Sequence, residues 1–143
     1  MKKLYNNLLV AGQITPSDIE GLKAHGVTTI INNRPDSEEP GQLTAERAAS
    51  IANEAGIDYH YLPMVNGQPL TDDLVSKFKA VVSSSEGLVL AHCRSGMRSS
   101  FIWALGAIAD GEVSPDQAIE AAQQAGIPLQ NARAVLESVS ASN

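Results

Sequence analysis

Leu88-Val89-Leu90-Ala91-His92-Cys93-Arg94-Ser95-Gly96-Met97-Arg98 is the stretch that decides the fold. Residues 88–91 are wholly apolar, and so short a run without a polar face suits a strand covered by helices on both sides. Such a strand belongs at the centre of a sheet. Directly behind it stand a cysteine, two arginines and a glycine. From Arg98 or Ser99 to Ala109, the spacing of Phe101, Trp103, Leu105 and Ile108 suits a buried helix. The unit is therefore strand, tight loop, helix.

The same alternation extends in both directions. Upstream, Leu8 to Ala11 reads as a strand and Thr15 to His25 as a helix, with Thr15 as N-cap, Pro16 as first helical residue and Gly26 as the stop. The β-branched run Val27 to Asn32 is the next strand, and it ends in the turn chemistry of Asn33-Arg34-Pro35-Asp36. Residues 34–43 are irregular; a helix follows from Thr44 to Ala55, a strand from Ile57 to Leu62, a loop to Leu70 and a helix from Thr71 to about Ser84. Downstream, Ser114-Pro115 opens one further helix and Leu129 to Val139 fills another. Strands separated by helices pair in parallel through right-handed crossovers, so the expected fold is α/β, a parallel-type sheet flanked by helices. Ligands bind such sheets beyond the carboxyl ends of the strands, which is where Cys93 stands.

Composition narrows the classes. A chain of 143 residues is the usual size of one domain, so 1–143 is read as a single domain with no linker or repeat. No apolar run approaches the roughly 20 residues that span a bilayer, and the segment Leu8 to Ala11 is too short for a signal-peptide core. The net charge of −6, with its basic residues scattered, argues against nucleic acid as a partner. A lone cysteine forms no internal disulfide, and a free thiol persists best in a reducing compartment, so a bacterial or similar cytoplasm is the expected location.

The chemistry of the loop follows from its position. A helix start offers unpaired N–H groups and the positive end of a dipole, and both favour an anion. Gly96 lets the backbone of Ser95, Gly96 and Met97 turn inward as an anion nest, and Arg98 adds a forked grip on oxyanion oxygens. The same groups, with Arg94 nearby, favour the thiolate of Cys93, and a thiolate in an anion cradle is a nucleophile aimed at the bound group. Ser99 and Ser100 place hydroxyls within reach of that sulfur. The alternative, a small buried hydrophobe, has no use for two arginines flanking a glycine at a strand exit.

The motif His-Cys-x-x-Gly-x-Arg-Ser at 92–99 resembles the phosphate-binding loop of the tyrosine and dual-specificity phosphatases, and also the active loop of rhodanese sulfurtransferases. Together with Ile31-Asn32-Asn33-Arg34-Pro35-Asp36 and Trp103-Ala104-Leu105, it resembles the beta-lactamase-hydrolase-like, phosphatase-like bacterial domains over about residues 5–110. That resemblance implies a phosphatase-type fold, Cys93 as nucleophile and Arg98 as the anion-binding arginine. Two features depart from it. Four residues separate Cys93 from Arg98, one fewer than in tyrosine-phosphatase loops and closer to rhodanese length. The upstream aspartate that serves such phosphatases as general acid has no counterpart, since residues 59–71 contain no carboxylate.

Asp36, in a turn that should leave the same sheet edge as Cys93, is the substitute favoured over Asp72 and Asp73, which read as helix caps. Arg34 in the same turn is a candidate substrate contact, against a salt-bridge alternative. His92 is expected to orient the loop rather than react; His25 and His60 have no partners for a metal, and no metal or other cofactor is expected. Tyr59, Tyr61 and Trp103 read as packing. The reaction is read as cysteine-dependent phosphate-ester hydrolysis, with a phosphorylated small molecule or protein as partner. Its alternatives are sulfur transfer from a sulfane-sulfur donor through a Cys93 persulfide, and a non-catalytic phosphate-binding module.

Overall fold

The computed structural model describes residues 1–141. Five strands form one sheet: β1 Lys2–Tyr5, β2 Leu8–Ala11, β3 Val27–Asn32, β4 Asp58–Tyr61 and β5 Leu88–His92, in the order β1-β2-β5-β3-β4. β2, β5, β3 and β4 run parallel, and β5 is the middle strand, as its unbroken apolar run requires. The added strand is β1, antiparallel to β2 across a turn in which Asn6 takes a positive φ of 49°. It is only four residues long, two of them exposed lysines, and Leu4 alone is fully buried, with Tyr5 packed at the core's edge. So short a pattern carries no strand signal by itself.

Among the described residues six α-helices cover the sheet: α1 Pro16–Leu22, α2 Ala45–Glu54, α3 Asp72–Ser84, α4 Met97–Ala109, α5 Pro115–Gln124 and α6 Arg133–Ala141. Hydroxyl caps set the starts of α1, α2, α3 and α5. Thr15, Thr44, Thr71 and Ser114 each accept a backbone N–H of the first turn, and Thr15 with Asp18 and Ser114 with Gln117 close reciprocal capping boxes. α1 ends earlier than the sequence suggests, tightening into a 3-10 turn at Lys23–His25 before Gly26 reverses the chain with a φ of 88°.

Side-chain alternation along β5 divides the core. Leu90 joins Ile19 and Leu22 of α1 and Ala48 and Ala52 of α2 on one face. Val89 and Ala91 face Phe78 of α3, Ile102 and Ala104 of α4, Ala118 of α5 and Leu136 of α6 on the other. Both faces are dry. Among the described residues no helix is long and apolar enough to cross a membrane. In register, Ala11, His92, Asn32 and Tyr61 stand side by side, so the turns after β2, β5, β3 and β4 leave the sheet at one edge.

Candidate active site

The cradle is built by the turn from β5 into α4. Gly96 is the N-cap of α4 and holds a φ of 94°, a conformation that side-chain-bearing residues rarely adopt. That twist brings the Gly96 N–H to 3.1 Å from Cys93 Sγ, to which it donates. The sulfur thus lies at the amino end of a helix, 1% exposed, with one backbone donor already committed to it. Ser95 Oγ accepts the Met97 N–H at 3.3 Å, while Arg94, Ser95 and Met97 stand at the surface around the cradle mouth.

Neighbouring turns pin the loop from outside. The Gln13 N–H donates to the Arg94 carbonyl at 3.1 Å, and a Cβ on Gly12 would lie only 2.8 Å from that oxygen. A Cβ on Gly96 would lie 3.0 Å from Ile127 Cδ1. The hydroxyls expected near the thiol are used for bracing: Ser99 Oγ donates to Asn33 Oδ1 at 2.8 Å and Ser100 Oγ to the Gly96 carbonyl at 2.8 Å. Neither bond reaches Cys93.

Asn32 and Asn33 extend the bracing to the turns after β3 and β4. Asn33 donates its backbone N–H to His92 O at 2.8 Å and its side-chain amide to Leu62 O at 2.8 Å, and Asn32 Oδ1 receives the Arg34 N–H at 2.8 Å. Asn32 Nδ2 bonds Tyr59 Oη at 2.9 Å, and burial pushes that phenol up to about 12. His92 is buried with Nδ1 3.4 Å from the Cys93 carbonyl, and desolvation holds its pKa down to about 4, so it stays neutral. It is not among the residues that line the cavity beside the loop.

The residue that sequence reading missed is Glu38. Its carboxylate meets the Arg98 guanidinium in a fork, Nη1 to Oε2 at 2.8 Å and Nη2 to Oε1 at 2.9 Å, and also receives Arg34 Nε at 2.9 Å. The hydrogen bond from Arg98, ahead of the smaller attraction of Arg34, lowers the Glu38 pKa despite partial burial, and Glu38 in turn raises that of Arg98. Arg98 Nη1 is fixed further by the Met64 carbonyl at 2.9 Å. The only signal for Glu38 in the sequence was its place in the irregular 34–43 stretch; its partner is 60 residues away.

Arg34 is placed differently from a substrate contact. Its side chain is 1% exposed and is spent on Glu38, on Gln13 Oε1 at 3.0 Å and on Glu39 at 3.2 Å, the last an ion pair without hydrogen-bond alignment. It reaches the cradle through Glu38 and Gln13. Asp36 caps α2, its Oδ1 accepting the Ala45 N–H at 2.9 Å while its own N–H donates to Tyr61 Oη at 2.9 Å. Asp72 and Asp73 open α3 as first-turn acids. Among the described residues no three His, Cys, Asp or Glu side chains converge to hold a metal ion.

Residues 1–111 match the profile of the family described as beta-lactamase hydrolase-like protein, phosphatase-like domain. The chain belongs to this family. It is 38% identical over 111 residues to a beta-lactamase hydrolase-like protein of Agrobacterium fabrum, covering 78% of this chain but 26% of that one. The phosphatase-like domain thus spans about a quarter of such relatives. A candidate phosphatase from Neisseria meningitidis Z2491, known from its crystal structure, superposes with a TM-score of 0.86 at 34% identity and 96% coverage of both chains. The tyrosine-phosphatase fold extends further: Tk-PTP gives a TM-score of 0.75 at 12% identity over 97% of this chain and 95% of its own, a likeness of fold alone. Within this phosphatase-like domain, β5, the 93–98 loop and α4 all fall inside the matched region.

Proposed function

We propose that this phosphatase-like domain hydrolyses phosphate monoesters through Cys93. The observation that carries the reading is the sulfur at the start of α4, bonded by the Gly96 N–H, with the guanidinium of Arg98 clamped by Glu38 in the same loop. A dianionic phosphoryl group in the cradle meets backbone donors and Arg98 together. The thiolate attacks phosphorus, an S–P bond forms as the P–O bond to the alcohol breaks, and the alkoxide takes a proton. Water then cleaves the S–P bond, releasing phosphate and restoring the thiolate. Arg94, Ser95, Gly96 and Met97 border the bound group. The bracing of Ser99 on Asn33 keeps the cradle in shape without a reorganisation step.

The proton donor in this scheme is water while Asp36 caps α2, with Asp36 itself as the alternative. Asp36 serves only when its carboxylate leaves the Ala45 N–H. That competition gives sulfur transfer a specific observation in its favour, because taking a sulfane sulfur from a donor such as thiosulfate breaks an S–S bond, expels sulfite and needs no protonation. The four-residue loop favours it too. A non-catalytic phosphate-binding module is the remaining reading, and full biological activity of a Cys93→Ser protein would establish it.

Mass spectrometry of protein quenched after brief exposure to an activated aryl phosphate or to thiosulfate decides among them. The expected result is a phosphate adduct on Cys93. A one-sulfur adduct from thiosulfate with none from the ester overturns hydrolysis in favour of sulfur transfer; no adduct from either leaves only the binding module.

A further inference from the structure

Residues 112–141 lie beyond the region matched to the family, yet they are built into the site. Ile119, Ala122, Ile127, Leu129 and Leu136 join the same core as β5 and α4. Ile127 stands against the space above Gly96, the glycine that shapes the cradle. The next turn, Pro128 to Ala132, faces Met64 and Asn66 across a cavity of about 430 Å³. The cavity borders the cradle through Arg94, Ser95 and Arg98, continued by Met97 and Phe101, while Cys93 lies buried behind this rim.

The lining specifies what fits. Its only cations are Arg94 and Arg98, both part of the loop, and no carboxylate faces the space. Apart from Arg94, Ser95 and Arg98 the walls are Met64, Met97, Phe101, Pro128, Leu129 and Ala132, relieved by the neutral amides of Asn66 and Asn131. A ligand with several anionic groups would find no second cationic seat, and a cationic body would find no partner. Met97 is 43% exposed in the first turn of α4, an apolar side chain left open beside a charged cradle. Covering it with an apolar group removes that exposure from water. The volume is in the range of small-molecule sites and admits a ring-sized group.

We propose that the 128–132 turn is the specificity wall of the candidate active site, and that the substrate is a phosphate monoester of a phenol or other compact apolar alcohol whose body lies between this turn and Phe101 and Met97. The identity of the reacting group rests on the hydrolase reading above; the apolar subsite does not. Asn131 and Ala132 are specificity-determining positions that touch the body of the substrate and not the phosphoryl group.

Calorimetric titration with benzylphosphonate and methylphosphonate, which share the anion and are not turned over, tests the subsite. Benzylphosphonate should bind about tenfold or more tightly, as burial of one ring implies. Ala132→Trp, which fills the cavity from its half-buried side, should abolish the preference and leave methylphosphonate affinity unchanged. Asn131→Trp does the same from the exposed side, so a fold defect in one variant does not decide the matter. Equal affinities in the parent protein, or a preference that survives both variants, overturns the proposal. Phenyl phosphate assayed alongside separates the two readings. Binding preference without turnover overturns hydrolysis alone, turnover without preference overturns the subsite alone, and no binding of either phosphonate overturns both.

Discussion

Two loops leave neighbouring strands at the same edge of the sheet and do their work by different means. The loop after β5 is six residues long from Cys93 to Arg98, and it acts mainly through backbone: a glycine twist, an amide on the sulfur and the open end of α4. The stretch after β3, residues 33–43, acts through side chains: Asn33 braces α4, Glu38 clamps Arg98 and Asp36 caps α2. The first makes the anion seat and the second holds it in register. A loop fixed by its own backbone is specified locally, whereas one whose charges find distant partners is specified only by the assembled fold.

That division predicts a graded series of losses. Cys93→Ser removes the reacting atom and should cost about a thousandfold or more in kcat with an unchanged melting temperature, measured with an activated aryl phosphate. Activity within tenfold of the parent would take the reaction away from the cradle. Arg98→Lys keeps the charge and loses the fork, so a loss of about a hundredfold in kcat/KM is expected in a folded protein. An unchanged value would make Arg98 part of the bracing rather than of the seat.

His92 extends the contrast to stability. Its pKa of about 4 in the fold, against about 6.5 in an unfolded chain, means the unfolded state binds the proton first as pH falls. The stability carried by neutral His92 is complete above about pH 6.5 and is lost progressively down to pH 4. Urea denaturation at pH 7 and pH 5 should differ by about 2 kcal/mol on this account, and His92→Asn should remove most of that difference. The same slope in the variant would assign the acid sensitivity elsewhere; Glu38, whose lowered pKa also favours the fold at higher pH, acts only below the ordinary carboxylate range.

Smaller effects belong to the side-chain loop. Glu38→Gln keeps the shape and an acceptor but loses the charge that clamps Arg98, so about a tenfold fall in kcat/KM is expected, with weaker binding of inorganic phosphate. Tighter phosphate binding would instead show that Glu38 competes for the fork. Asp36→Asn should lower stability by about 1 kcal/mol through the weakened α2 cap and leave the dependence of rate on leaving-group acidity as it was. A steepened dependence would make Asp36 the proton donor.

The sequence was most legible where signals were local. The apolar run Leu88 to Ala91 placed β5 at the centre, hydroxyl and proline signals placed the starts of α1 and α5, and Gly96 between two arginines marked the cradle. β1 escaped because four residues with one buried position carry no pattern. Glu38 escaped because a glutamate in an irregular stretch looks like any solvated acid until Arg98 is folded against it. Ser99 and Arg34 were noticed, but their partners, Asn33 and Glu38, could be assigned only from the assembled turns.

The short spacing between Cys93 and Arg98 has an architectural origin. On one side the Arg94 carbonyl sits where a Cβ on Gly12 would collide with it, and on the other a side chain at Gly96 would meet Ile127. An extra residue inserted into the loop therefore has no room toward β2 or toward Ile127, and must bulge out into the cavity beside the 128–132 turn. Grafting a longer tyrosine-phosphatase loop onto this scaffold would occupy the space where a substrate's body lies. Loop length and the shape of the neighbouring wall are thus one design variable, and an engineer who wishes to change either must redraw both.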